Sequence, residues 1–178
     1  MRVVRRDIKY PRIELRTGML TLILPHGDHP QRLLNKYQGW IEKKQEFIRK
    51  ALNESDGKRM IKRSQTDFRE LIADLVAKNG QKLKLRPAAY SYRLMWSKWA
   101  SCSARGRLTL NTLMQYLPTR LIDYILFHEM HHLDNRKHNG EFWRTIGKRF
   151  PNYQKLEHEL FVYWFLVQRK SNEIKTIS

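Results

Sequence analysis

"FHEMHHLDNRKHNGEFW", residues 127–143, places four histidines and two glutamates directly after the apolar run Leu121-Ile122-Asp123-Tyr124-Ile125-Leu126-Phe127. Apolar positions almost all round such a segment predict a buried helix, opened by Pro118. Imidazoles at the end of a buried helix cost free energy unless a metal ion or hydrogen bonds satisfy them. His128 and His132 are four residues apart, which on an α-helix leaves about 40° between them in azimuth and one turn along the axis. Both rings can therefore reach one ion. Glu129 sits on a neighbouring face, where its carboxylate can touch a water on that ion without being a ligand.

Two imidazoles leave zinc short of ligands, and a catalytic site adds a third protein donor while keeping a position open for water. His138, six residues after His132, is the candidate, with Glu141, Glu157 and Glu159 as rivals from further along the chain. To bring His138 back the helix must stop soon after His132, and Asn135 stands where a left-handed C-terminal turn is expected. His131 points away from the shared face and reads as a supporting or surface residue. His26, His29 and His158 are isolated and read as ordinary histidines. The pattern His128-Glu129-x-x-His132 is that of metalloproteases, with zinc as the expected ion and Glu129 as general base. Tyr153, His158 and Tyr163 remain open as donors to a transition-state oxyanion.

The rest of the chain limits what such a site can serve. With 178 residues and 41% hydrophobic content, there is enough for one domain, or a catalytic domain with a small appendage. Cys102 is the one cysteine, the first residues lack a signal-peptide pattern, and apolar runs are too short to span a membrane; a soluble protein of the reducing cytoplasm is expected. The 35 Lys+Arg against 17 Asp+Glu give +18, and residues 1–99 hold 23 of the bases and 10 of the acids. Such an excess either keeps the chain soluble or attracts nucleic acid without reading its sequence. Tyr37, Trp40, Tyr90, Tyr92, Trp96 and Trp99 are interleaved with those bases and can stack on unpaired bases if exposed.

Residues 3–24 carry strand-type runs, with Thr17-Gly18 as the turn of a hairpin. Apolar spacing predicts a helix over 31–53, a polar break over 53–57, and a second helix over 62–78 ended by Asn79-Gly80. Residues 88–96 and 107–111 read as two strands joined by "SKWASCSARG", a loop or bulged hairpin. Gly140 lies near the start of a further helix, and a last one covers about 154–168. Cys102, a single thiol with no paired base nearby, reads as a buried structural residue.

Met95 to Tyr153 resembles the core of the YgjP-like metallopeptidases, a zincin family similar to the SprT-like and WLM proteases. The resemblance rests on Trp99, Ser101-Cys102-Ser103, Gly106, Leu110-Asn111, Pro118, Asp123-Tyr124, His128-Glu129-x-x-His132, His138, Phe142-Trp143 and Pro151-x-Tyr153. Ala100 departs from it, since the family usually has glycine there. The metzincins, which need a methionine turn after the third histidine, do not fit, because no methionine follows Met130. The resemblance implies an α+β fold, with a zincin-like core in which a short antiparallel sheet packs on the helix of His128 and His132. It also implies that the strand at Arg107–Asn111 lies beside that helix as an edge for an extended peptide.

The expected organisation is a strand/helix subdomain over 1–57 and a metallopeptidase core over 58–178. The expected function is zinc-dependent hydrolysis of peptide bonds, with His128, His132 and His138 on the metal, Glu129 as base, and peptide or protein substrates, near nucleic acid. Two other classes stay open: a basic nucleic-acid-binding protein with a structural zinc, and a zinc hydrolase of a non-peptide amide. The sequence leaves oligomeric state undetermined.

Overall fold

The computed structural model describes residues 1–16 and 19–176. It is an α+β protein of two compact units, Met1–Lys58 with the chain from Trp164 onward, and Arg59–Tyr163.

In the first unit, the most apolar run of the N-terminal region, Met19–Leu24 (β3), is the central strand. Arg2–Arg5 (β1) pairs with it in parallel and Arg12–Arg16 (β2) antiparallel. The antiparallel pairing of β2 with β3 agrees with the expected hairpin; its expected turn residues, Thr17 and Gly18, lie outside the described residues. Strand alternation puts Leu20, Leu22 and Leu24 on one face, buried against Leu33 and Ile41 of α1 (Pro30–Asp56). Helix α1 departs from helical geometry at Tyr37 and continues through the expected break to Asp56.

In the second unit, α2 (Gln65–Leu83) starts in a full capping box between Ser64 and Asp67. It does not stop at Asn79-Gly80 as expected. A Cβ on Gly80 would come 2.9 Å from the Leu85 carbonyl oxygen, so glycine there serves the close return of the chain, not the cap. The left-handed residue is Lys84, with φ 55°. Asn79 is buried, its Nδ2 donating to Asp123 Oδ1 over 2.8 Å.

The sheet of this unit also differs from expectation. Ala89–Arg93 (β4) and Arg107–Asn111 (β6) are parallel, so they form no hairpin, and the sheet is mixed where an antiparallel one was expected. Inside the supposed loop lies a third strand, Ala100–Cys102 (β5), antiparallel to β6. Asn111 makes this possible. Fully buried, it donates through Nδ2 to the carbonyls of Met95 (2.7 Å) and Lys98 (2.8 Å), binding the β4–β5 connection to the end of β6. The β5–β6 turn closes through Gly106 at φ 70°, whose N–H donates to the Ser103 carbonyl over 3.0 Å.

A 3-10 turn, Thr112–Tyr116, leads past Pro118 into α3 (Thr119–His131), which packs on α2 and β5 and buries Leu121, Ile122, Tyr124 to Phe127, Met130 and His131. Helix α4 (Gly140–Arg149) and the first part of α5 (Tyr153–Thr176) complete the unit. Arg149 binds Asp123 over 2.9 Å, and the Tyr124 hydroxyl donates to Glu157 over 3.0 Å, tying α3 to α4 and α5. Among the described residues no helix is long and apolar enough to cross a membrane.

Candidate metal and catalytic site

At the C-terminal end of α3, the rings of His128 and His132 stand 5.0 Å apart between centroids. His138 joins them, 5.0 Å from His128 and 4.7 Å from His132. One ring nitrogen from each lies within 4.8 Å of the others, and the Nε2 atoms of His128 and His138 face each other at 3.0 Å. Two nitrogens on one tetrahedral zinc, with bonds of about 2.0–2.1 Å, would be about 3.4 Å apart, a spacing that the cluster could meet with small ring movements. The donors suit the ion chemically as well. Burial, then the neighbouring His132 and His138, push the His128 pKa down to about 3, and burial followed by His132 lowers that of His138; neutral imidazoles with free lone pairs are what a metal requires. His132 Nδ1 lies 3.0 Å from the Asn135 carbonyl, so as donor to it the ring leaves the lone pair of Nε2 available to an ion.

The return of His138 is achieved differently from the expected left-handed Asn135. Among the described residues Lys84 is the sole non-glycine with positive φ. The chain leaves α3 through tight turns, Leu133 N–H to Met130 O (3.0 Å) and Asn135 N–H to His131 O (3.0 Å). Asn135 acts through its side chain: Oδ1 accepts from Lys137 N–H (3.2 Å) and Nδ2 donates to Asn139 Oδ1 (3.0 Å). Asn139 in turn caps α4, its Oδ1 accepting from Phe142 N–H over 2.9 Å.

Phe142, fully buried, lies against all four histidines of the stretch. It stacks on His132 (4.8 Å, 23°) and His131 (4.8 Å, 25°), and meets His128 and His138 edge-on. Trp143 stacks on His138 and Tyr153 on Trp143. In the sequence these aromatics stand out only through the family pattern; their local signal is an aromatic pair two residues after Gly140, in the first turn of a helix that begins just after His138. His131 is buried, not at the surface, and neither ring nitrogen has a hydrogen-bond partner among the described residues.

Glu129 faces the same space. Burial raises its carboxyl above the usual range, opposed by His132, by the Cys102 backbone N–H and by Lys98. A cleft of about 290 Å³ opens here, lined by the stretch 100–104, Glu129, His132, Arg136 and His138. Cys102 is half-buried on its wall and not fully buried as expected; burial and Glu129 push its thiol up, away from nucleophile character. The rivals for the third ligand are engaged or outside the cluster: Glu157 accepts from Tyr124, Glu159 pairs with Arg120, and Glu141 is exposed. Of the three oxyanion candidates, Tyr163 spends its hydroxyl on the Arg59 carbonyl (3.1 Å).

The free strand edge beside α3 belongs to β5, not to Arg107–Asn111 as expected, because β6 is paired on both sides. Trp99 O and Ser103 N–H are taken by Asn111 and Arg107, so strand alternation turns the main-chain groups of Ala100 and Cys102 outward. The Cys102 N–H toward Glu129 agrees with this.

The family model described as YgjP-like, metallopeptidase domain matches residues 49–162. The chain belongs to the YgjP-like family. Among solved structures, it is similar to the metallopeptidase zymogen abylysin of Pyrococcus abyssi, with 26% identity and a TM-score of 0.48 over 52% of this chain and 93% of that one. It is also similar to the metallopeptidase zymogen jannalysin of Methanocaldococcus jannaschii, with 21% identity and a TM-score of 0.46 over 58% of this chain and 95% of that one. No curated protein matches it. Within the YgjP-like match lie all three clustered histidines, Glu129 and the β5 edge.

Proposed function

We propose that this YgjP-like chain is a zinc-dependent peptidase in which His128, His132 and His138 hold the metal and Glu129 is the general base. The observation that carries this reading is the convergence of three imidazoles beside a half-buried carboxylate that is not part of their cluster. Zinc held there would supply a Lewis acid that polarises a carbonyl and acidifies water. Glu129, its carboxyl raised by burial, is suited to take a proton from the attacking water and to return it to the leaving amine. An extended peptide fits beside the outward main-chain groups of Ala100 and the Cys102 carbonyl, the Cys102 N–H being turned to Glu129, and main-chain hydrogen bonds there hold it without regard to most side chains. A purely structural metal would leave Glu129 in the cleft with no task.

Nucleic acid enters the proposal as a second, non-specific partner, supported by the +18 charge and by exposed Tyr37, Trp40, Tyr90 and Trp96. Tyr92 and Trp99 are half-buried, the first against Phe68 and the second donating its indole N–H to the Leu160 carbonyl, and serve packing instead.

The test is hydrolysis of an unstructured protein substrate by zinc-loaded protein, with chelator and Glu129→Gln as controls. Glu129→Gln keeps the size of the side chain and removes the base, so metal content should stay near one ion per chain while hydrolysis falls at least about a hundredfold. Metal loss in that variant makes Glu129 a ligand or a structural residue and defeats the assignment.

A further inference from the structure

Hydrolysis as proposed leaves one charged side chain of the cleft without a role. Arg136 lines it together with Glu129, and apart from the histidines these are its two ionisable side chains besides the Cys102 thiol. Arg136 is exposed, and among the described residues no carboxylate pairs with it. It is nevertheless held in place: Nη2 donates to the Ala104 carbonyl in the β5–β6 turn. The guanidinium has five N–H donors in a rigid fork, so one bond to the turn orients it and leaves the others for a ligand. Its position is at the turn end of β5, the strand whose outward edge faces the cleft. A peptide laid along that edge passes the guanidinium within the same cleft. Lys98, just before β5, adds a second positive charge felt at Glu129. Among the described residues Glu129 itself is the one carboxylate on the cleft wall.

We infer that Arg136 is a specificity-determining residue that binds a carboxylate of the peptide lying on β5, so that the substrates are acidic peptides. The inference rests on the peptidase reading above and names its substrate class. The carboxylate comes either from an Asp or Glu side chain or from a free C-terminus, and the two sources are separable. Because the guanidinium is exposed, solvent screens the pair, and a preference of about three- to tenfold is expected, not one of several orders of magnitude.

The experiment uses matched quenched-fluorescence peptides carrying Glu, Gln or Lys at successive positions around a fixed cleavable core, each with a C-terminal acid or amide. Rates are measured with zinc-loaded wild type, Arg136→Gln and Arg136→Glu, and binding of the same peptides to zinc-loaded Glu129→Gln is measured by anisotropy, with and without the Arg136 changes. The wild type should favour Glu over Gln at one position, or acid over amide at the C-terminus, in kcat/KM and in binding. The ratio should fall to about one in Arg136→Gln and invert toward Lys in Arg136→Glu. A guanidinium that merely supports the turn would lower all peptides alike and leave the ratio unchanged, which overturns the inference. Hydrolysis with no charge preference overturns it while leaving the peptidase reading intact. Charge-selective binding without hydrolysis of any peptide sustains the carboxylate site and defeats the peptidase reading; neither hydrolysis nor charge-selective binding defeats both.

Discussion

Asn135 donates its side-chain amide to Asn139 across the loop that carries His138, at 3.0 Å. Each asparagine also binds a main-chain N–H, of Lys137 in one case and of Phe142 in the other. The third imidazole is thus delivered by two side chains that clamp the loop on either side of it, while the first two come together through their spacing of one turn along α3 and its C-cap.

Replacement of Asn135 follows from this. Both Asn135→Ala and Asn135→Gly remove the amide, so both should weaken zinc binding by a similar factor, about tenfold, as for the loss of other supporting bonds around metal ligands. Calorimetric zinc titration decides the matter. Glycine would be tolerated or improved if the residue served a left-handed turn, so near-native affinity in Asn135→Gly would restore that account.

The ligand set itself is tested by pairing His138→Ala with Glu141→Ala. The first deletes one of the three clustered donors and should lower zinc affinity by at least about a hundredfold; the second removes an exposed carboxylate outside the cluster and should leave affinity unchanged. Metal content after dialysis against a weak chelator distinguishes them, and the reverse result moves the site onto α4.

Phe142 has no exposed surface and touches every histidine of the stretch. Phe142→Ala should therefore cost about 3–5 kcal/mol of stability, a fall in Tm of roughly 10 °C for a chain of this length, and should weaken zinc binding as the imidazoles lose their common support. Phe142→Leu keeps most of the volume and should cost less in both. Thermal melting of the metal-free protein isolates the packing part. Unchanged zinc affinity in Phe142→Ala would show that the histidines hold their positions without the ring.

What the sequence made legible was whatever depends on local spacing. Helix α3, the shared face of His128 and His132, and the hairpin of β2 and β3 are all consequences of periodicity over fewer than about fifteen residues. What it hid depends on contacts between distant segments. Gly80 reads as a helix stop until Leu85 is seen returning against it, and β5 is three residues long, too short to show alternation. Its existence comes from Asn111, whose amide gathers Met95 and Lys98. Parallel pairing of β4 and β6 is equally invisible, because an isolated strand pattern is the same in either direction. Azimuth alone turns His131 away from the face shared by His128 and His132 and leaves open whether it supports them or meets solvent; α4 covers that side with Phe142 and buries it.

The basic surface gives the last prediction. With 35 Lys+Arg, phosphate contacts would release counterions, and engagement of six or more phosphates implies a fall in affinity for duplex DNA of about a thousandfold between about 50 and 200 mM salt. Of the aromatics interleaved with the bases, Tyr37, Trp40, Tyr90 and Trp96 are exposed, and a base stacked on one of them contributes about 1–3 kcal/mol with single strands. Trp40→Ala or Trp96→Ala should accordingly weaken single-stranded DNA or RNA binding at least about fivefold while affecting duplex binding less. The salt slope should be the same in both variants, since no phosphate contact is lost. Anisotropy titrations of single- and double-stranded oligonucleotides over that salt range measure both quantities. Weak, salt-insensitive association would assign the charge to solubility and leave the peptidase with a peptide substrate alone.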